Sequence, residues 1–323
     1  MADSTQGHTD IQYLGLLAPA LIALIVGLVI HSFIIGVNVT DWWKGRSVTP
    51  VDHITTLLGI SRMWCQCVTT LNVVLVTFFT SKLHSQLILH IMYALSDFFM
   101  YVNFWLMSLL SIVLCLKISN FQTRLFLYLK GVIVHRTVYF IVVAVLINAV
   151  NIVMTFLKKL AKNTYGGTYN TTKANFSMDC TPNNDIFNYT SRASIPMFFY
   201  CISSLLLFTS LYHHTIKMKM SSNSSINLET YYSTMKFISF TFLYNIIYFF
   251  GHFASSGFYY FYCVHLVWLR IVLEFLPVLH SSYLIYRTAK LRSQMAKVLQ
   301  NVTDFLFPRK YTESRVNIEV VVL

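Results

Sequence analysis

The sequence predicts an all-α membrane protein, a seven-transmembrane helix bundle. Apolar runs of membrane-spanning length recur seven times along 323 residues, and a helix needs about 20 apolar residues to cross hydrocarbon. Charged residues are only 11% of the chain, whereas a soluble domain carries about 25%. The Lys and Arg residues also alternate in density from one connector to the next, the charge pattern of a chain threaded back and forth through a bilayer.

The spans are predicted in order. The first, 11–37, has no basic segment before it and is long enough to cross, so it reads as a retained helix rather than a signal peptide. A short polar turn with Asp41, Trp42, Trp43, Lys44 and Arg46 leads to Pro50 and Asp52, which open the second span, 53–80. The third covers 87–116, the fourth 134–157, the fifth 194–216, the sixth 232–257 and the seventh 262–286. A tight polar break at Ser255, Ser256 and Gly257 separates the last two. The predicted organisation is an outer N-terminus (1–10), the bundle (11–286) with one long outer loop (158–193), and a C-terminal tail (287–323).

Charge orients the bundle. Of the 24 Lys and Arg residues, those at 44, 46, 117, 124, 130, 136, 217, 219, 236 and in the tail fall on one side. Lys82, Lys158, Lys159, Lys162, Lys173 and Arg192 fall on the other. The positive-inside rule then puts the N-terminus outside and the C-terminus in the cytosol; the plasma membrane is the expected location. The net charge of +12 suits anionic lipid heads and acidic partner surfaces. Nucleic-acid binding would need a soluble basic domain, which the sequence lacks. The long loop carries three glycosylation sequons, at Asn170, Asn175 and Asn188. Those at Asn38, Asn223 and Asn301 fall on the cytosolic side. Cys65, Cys67, Cys115 and Cys201 read as packing residues. Cys180 and Cys263 face the oxidising side and either bridge the two outer loops or remain thiols. No His/Cys spacing indicates a metal.

Several fragments share a family resemblance. They are Val37-Asn-Val-Thr-Asp-Trp42, Ile54-Thr-Thr-Leu-Leu-Gly-Ile-Ser-Arg62, Trp105 with Leu110-Ser111, Leu116-Lys-Ile-Ser-Asn120-Phe121, and Phe126-Leu-Tyr-Leu-Lys130. Leu206 to His214, Thr234-Met-Lys236, Pro277-x-x-His280-Ser281 and Lys290-Leu-Arg292 follow in order. Together they resemble the type 2 (bitter) taste receptors, a group of seven-helix G-protein-coupled receptors. The chain departs from that pattern twice, with His31 where the family has Asn, and Met100-Tyr101 where it often has Asn-His. The marks of rhodopsin-like receptors are missing: no Asp-Arg-Tyr ends span three, and no cysteine lies at its outer start.

The resemblance implies small bitter agonists bound in the outer half of the bundle. It also implies coupling of the inner face to a heterotrimeric G protein of the gustducin-like or inhibitory class, with no cofactor. Ionisable groups within the spans are few and expensive unless paired. Arg62 is expected to form a polar hub with His31, Ser281 and nearby carbonyls, or else to be a structural arginine satisfied by carbonyls and water. Ser96, Asp97, Met100, Tyr101, Phe249, Phe253, Arg270 and Glu274 are the candidate ligand contacts. Arg270 and Glu274, at i and i+4, are placed to pair, which would leave Asp97 as the freer anion and favour cationic agonists. Lys117, Asn120, Lys130, His214, Lys219 and Lys236 are the candidate G-protein-facing residues. The alternatives are a vomeronasal type 1-like chemoreceptor and a small-molecule transporter. A transporter would show internal repeats or broken midplane helices, and neither is visible. No catalytic motif is present, so the chain does not read as an enzyme.

Overall fold

The computed structural model describes residues 3–79, 86–119, 124–165, 184–220, 225–262 and 266–306. Among these residues there are nine helices: α1 (Asp3–Trp43), α2 (Pro50–Phe79), α3 (Gln86–Ile118), α4 (Arg124–His135), α5 (Thr137–Tyr165), α6 (Asn184–Met220), α7 (Ser225–Tyr262), α8 (Val267–Arg287) and α9 (Ala289–Leu306). No strand occurs among the described residues. The chain divides into two compact units, Met1–Tyr283 and Leu284–Leu323.

The first turn of the chain shows how local chemistry sets a helix boundary. Gly45 adopts φ 68°, a left-handed conformation that suits glycine. Its amide donates to the Trp42 carbonyl and that of Arg46 to the Asp41 carbonyl, a Schellman cap that ends α1. Thr49 then caps α2. Its hydroxyl accepts from the Asp52 amide at 3.3 Å, while the Asp52 carboxylate accepts from the Thr49 amide at 3.0 Å. This is a reciprocal capping box with Pro50 at the first helical position. The Arg46–Asp41 ion pair at 2.9 Å lies on the exposed turn, where such pairs contribute little.

Inside and outside are inverted relative to a soluble bundle. Val29, Leu146, Val150, Phe198, Leu205, Leu243, Phe250 and Val272 are exposed, and Ser61, Ser108, Ser111, Asn103, Asn148 and Asn245 are buried. Apolar stripes of this extent have no place against water and match hydrocarbon. Among the described residues, six helices are long and apolar enough to cross a membrane: α1, α3, α5, α6, α7 and α8. The seventh of the expected spans, α2, has the length, at 30 residues, but is not among these six over its described residues. Its Thr55, Ser61, Arg62, Gln66, Thr69, Thr70 and Asn72 are buried, whereas Leu57, Trp64 and Leu71 are exposed. A helix with polar residues turned inward crosses lipid because its neighbours, not the bilayer, solvate them.

α3 is the central helix of the first unit, with 78% of its span window buried against 22% in α5 and α7, so residues on every side of it face protein. α1 packs on α2, α2 on α3, α3 on α5 and α6, and α6 on α7. Ile54 and Leu58 of α2, Met100 to Val113 of α3, Ile141 of α5 and Tyr244 and Tyr248 of α7 share one core. Ile271 of α8 joins Ala20 of α1 and Val73 of α2 in another.

Several predicted boundaries move. α1 continues to Trp43, past the predicted end at Val37, because the capping glycine is Gly45 and not Gly36. Ser255, Ser256 and Gly257 lie inside α7, which runs on to Tyr262; a single helical glycine lowers propensity without breaking a packed helix. The loop predicted over 158–193 is shorter, since α5 reaches Tyr165 and α6 begins at Asn184. Asn188 is therefore helical, and Asn170, Asn175, Cys180, Cys263 and Asn120 lie outside the described residues. Two helices had no counterpart in the sequence reading, α4 between the third and fourth spans and α9 in the tail. Both are amphipathic and too short or too polar to register as spans.

Candidate functional site

The register of α1 against α2 builds the polar centre layer by layer. Gly27 sits against the Gln66 side chain, and Gly59 against Ile35 and the His31 carbonyl. Toward the basic end, the Asn38 amide donates to the Thr55 and Thr56 hydroxyls and to the Asp52 carbonyl. Asn38 is buried, so its sequon is occupied by packing.

Between these layers lies Arg62, 2% exposed. One terminal nitrogen donates to Ser281 Oγ at 2.8 Å and meets His280 Nδ1 at 3.1 Å. A guanidinium only donates, so His280 Nδ1 accepts. The other nitrogen reaches Tyr244 Oη at 3.3 Å and Met107 Sδ at 3.4 Å. One side chain from α2 thus ties α3, α7 and α8. The structure brings Arg62 and Ser281 into contact. His31 is fully buried and within electrostatic range of the guanidinium, but neither ring nitrogen has a hydrogen-bond partner among the described residues. The sequence reading missed His280, Tyr244 and Met107. The Pro277-x-x-His280-Ser281 run marked His280, one residue from Ser281, whereas nothing in the sequence marked Tyr244.

From this centre an aromatic column rises toward the opposite end. Tyr244 stacks on His280 at 4.5 Å and on Tyr248 at 5.8 Å. Tyr248 meets His252 edge-on at 4.5 Å and Phe104 at 5.6 Å. Phe104 meets Phe249 at 5.8 Å, and Phe249 stacks on Phe253 at 6.4 Å. Met100 and Tyr101 are both buried, and Ser96 and Asp97 both half-buried. Ser96 with Met100, and Asp97 with Tyr101, lie one turn apart on α3, and both pairs are interior because α3 is enclosed. Ser96 Oγ lies 3.3 Å from Thr69 Oγ1, and Thr69 faces the Glu274 carboxyl. The Glu274 carbonyl accepts from Gln66 at 3.0 Å. Phe253 is on the margin, 37% exposed.

Arg270 and Glu274 do not form the ion pair that their spacing allows. The Arg270 guanidinium lies over the Tyr93 ring, 5.0 Å from its centroid, and Glu274 is buried toward α2. Asp97 has a partner of its own. The Arg270 guanidinium acts on the Glu274 carboxyl at a distance, without an ion pair.

At the basic end, Lys117 is exposed at the close of α3, Lys130 half-buried in α4, and Lys219 and Lys236 exposed on α6 and α7. His214 of α6 stacks on Tyr231 of α7 at 4.9 Å. Just inside, Leu207, Leu211, Cys115 and Ile238 form an apolar plug. Deeper still, Ser111 of α3 bonds to Ser203 and Ser204 of α6, each at 2.8 Å.

A lipid-facing exterior, a polar centre organised by one arginine and an aromatic column above it define a multi-pass seven-helix receptor bundle. Residues 10–303 match the family described as taste receptor protein (TAS2R). The chain belongs to this bitter taste receptor family. It is 26% identical over 301 residues to taste receptor type 2 member 7 of Rattus norvegicus, covering 89% of this chain and 95% of that one. It is 28% identical to member 64 of Pan paniscus, covering 87% and 92%. Member 140 of Rattus norvegicus is 31% identical over 63% of this chain and 66% of its own. The match leaves the transporter and vomeronasal alternatives without support.

Proposed function

We propose that this chain is a chemoreceptor that binds small bitter molecules at the end of the bundle remote from its basic face and activates a heterotrimeric G protein at that face. The family supports this reading, and the observation that carries it is the unbroken aromatic column from Phe249 and Phe253 through Tyr248 and Tyr244 to the Arg62 centre. A ligand packed among Met100, Tyr101, Phe249 and Phe253, with Ser96, Asp97, Arg270 and Glu274 supplying polar contacts, acts on one end of that column. The basic end lies at the other, where Lys117, Lys130, His214, Lys219 and Lys236 meet the G protein, with Asn120 assigned to that contact from the sequence alone. Opening there requires the His214–Tyr231 stack to part. The N-terminus lies outside the plasma membrane and the C-terminus in the cytosol, with anionic lipids against the basic rim.

The test is a bitter-compound panel on cells expressing the full chain with a chimeric G protein, read as calcium release. An agonist response is expected. Tyr248→Ala should reduce efficacy more than binding, because it breaks the column between the two ends. Solute export without any G-protein signal would overturn the reading.

A further inference from the structure

We propose that the ligand site of this chain takes molecules bearing an oxyanion, a carboxylate or sulfonate, held by Arg270. This rests on the receptor reading above and names the chemistry of its site. Arg270 lies in the first turn of α8, its amide bonded to the Leu266 carbonyl at 3.1 Å. Its side chain is half-buried. The Tyr93 ring, 5.0 Å away, steadies the guanidinium face by cation–π attraction but leaves its charge unneutralised. Among the described residues the N–H edge makes no hydrogen bond or ion pair. The acid one turn further along, Glu274, is buried against Thr69 and meets the guanidinium only at electrostatic range, and Asp97 makes an interaction of its own. From α7, His252 lies within electrostatic range of the guanidinium and packs edge-on to Tyr248 and Phe104. Among the described residues, the groups around this point are thus an arginine with free donors, a histidine, the Glu274 carboxyl at electrostatic range and aromatic rings. A partly desolvated guanidinium with an open planar edge fits a planar oxyanion by two parallel hydrogen bonds, while the aromatic body of the ligand packs on the rings beside it. Lysine offers a point charge without that fork, so it replaces arginine only in part.

The full chain in lipid nanodiscs is titrated with matched pairs, aryl carboxylates and their carboxamides, and the same pairs are run in the cellular calcium assay. At least one carboxylate is expected to bind more tightly than its amide. In Arg270→Gln it should lose about tenfold or more in affinity relative to the amide, and Arg270→Lys should recover part of that loss. Carboxylate binding that depends on Arg270 without any calcium signal supports the subsite and counts against the receptor reading. If no carboxylate binds, or both members of each pair fall by the same factor in Arg270→Gln, the subsite is overturned. A calcium response to neutral or cationic compounds then leaves the receptor reading standing.

Discussion

At the residue scale, Arg62 and Gly27 carry the sharpest expectations. Arg62→Met deprives Ser281, His280 and Tyr244 of a common donor in an interior with no bulk water. Each buried polar group left unpaired costs about 1–3 kcal/mol, so a loss on the order of 3 kcal/mol is expected, read as a fall in melting temperature in nanodiscs. His31→Asn removes a ring that makes no hydrogen bond among the described residues and should cost much less; an equal loss would show that His31 holds the centre as firmly as Arg62 does. Gly27 has no room for a Cβ because the buried Gln66 amide fills the space. Gly27→Ala should cost about 1–3 kcal/mol through overpacking, and Gln66→Ala in the same chain should recover part of it. A double-mutant cycle measures the coupling, and strict additivity would mean the two side chains do not compete for space.

At the element scale, the turn between α1 and α2 is specified by two caps. Gly45→Ala forces a side chain into φ 68° and should destabilise by about 1 kcal/mol. Thr49→Val removes the hydroxyl of the capping box at a similar cost, about 1 kcal/mol. Protease nicking of the turn should rise in both variants, and a rate unchanged from the parent chain in either would show that its cap does not set the boundary. α2 illustrates a second property of elements. Its polar groups are solvated by other helices, so alone it should insert into membranes less well than α1. In a translocon-insertion assay on the isolated segment, Arg62→Leu should raise insertion strongly, since a central arginine costs about 2.5–3.5 kcal/mol there. Equal insertion of isolated α1 and α2 would contradict the view that neighbours carry α2 into the bilayer.

At the scale of the whole molecule, the expectations concern sidedness and coupling. On the proposed topology, with the N-terminus outside, glycosidase should shift the parent chain in gels, and removal of the sequons at Asn170, Asn175 and Asn188 should abolish the shift. A shift lost instead on mutating Asn301 would reverse the topology. Charge reversal at Lys130 and Lys219 together should slow G-protein association more than it alters ligand binding, because charges at an interface rim act chiefly on encounter rates. Unaltered activation kinetics in a correctly trafficked double variant would remove these lysines from the interface.

What the sequence determined by itself is what depends on local composition. Seven runs of apolar residues, the alternation of Lys and Arg between connectors, and Pro50 with Asp52 at the head of α2 are each legible within a window of some 20 residues, because bilayer thickness and helix capping are local constraints. The taste-receptor fragments were legible for the same reason. Only the tertiary structure decided which polar groups meet. Arg62 and Ser281 are 219 positions apart, and the choice of His280, Tyr244 and Met107 as further partners depends on how α3, α7 and α8 pack around α2. Helical spacing likewise allowed an Arg270–Glu274 pair. Packing turned Glu274 toward α2 and laid Arg270 over Tyr93, because a buried side chain takes the partners its neighbouring helices supply, and no single helix contains that information.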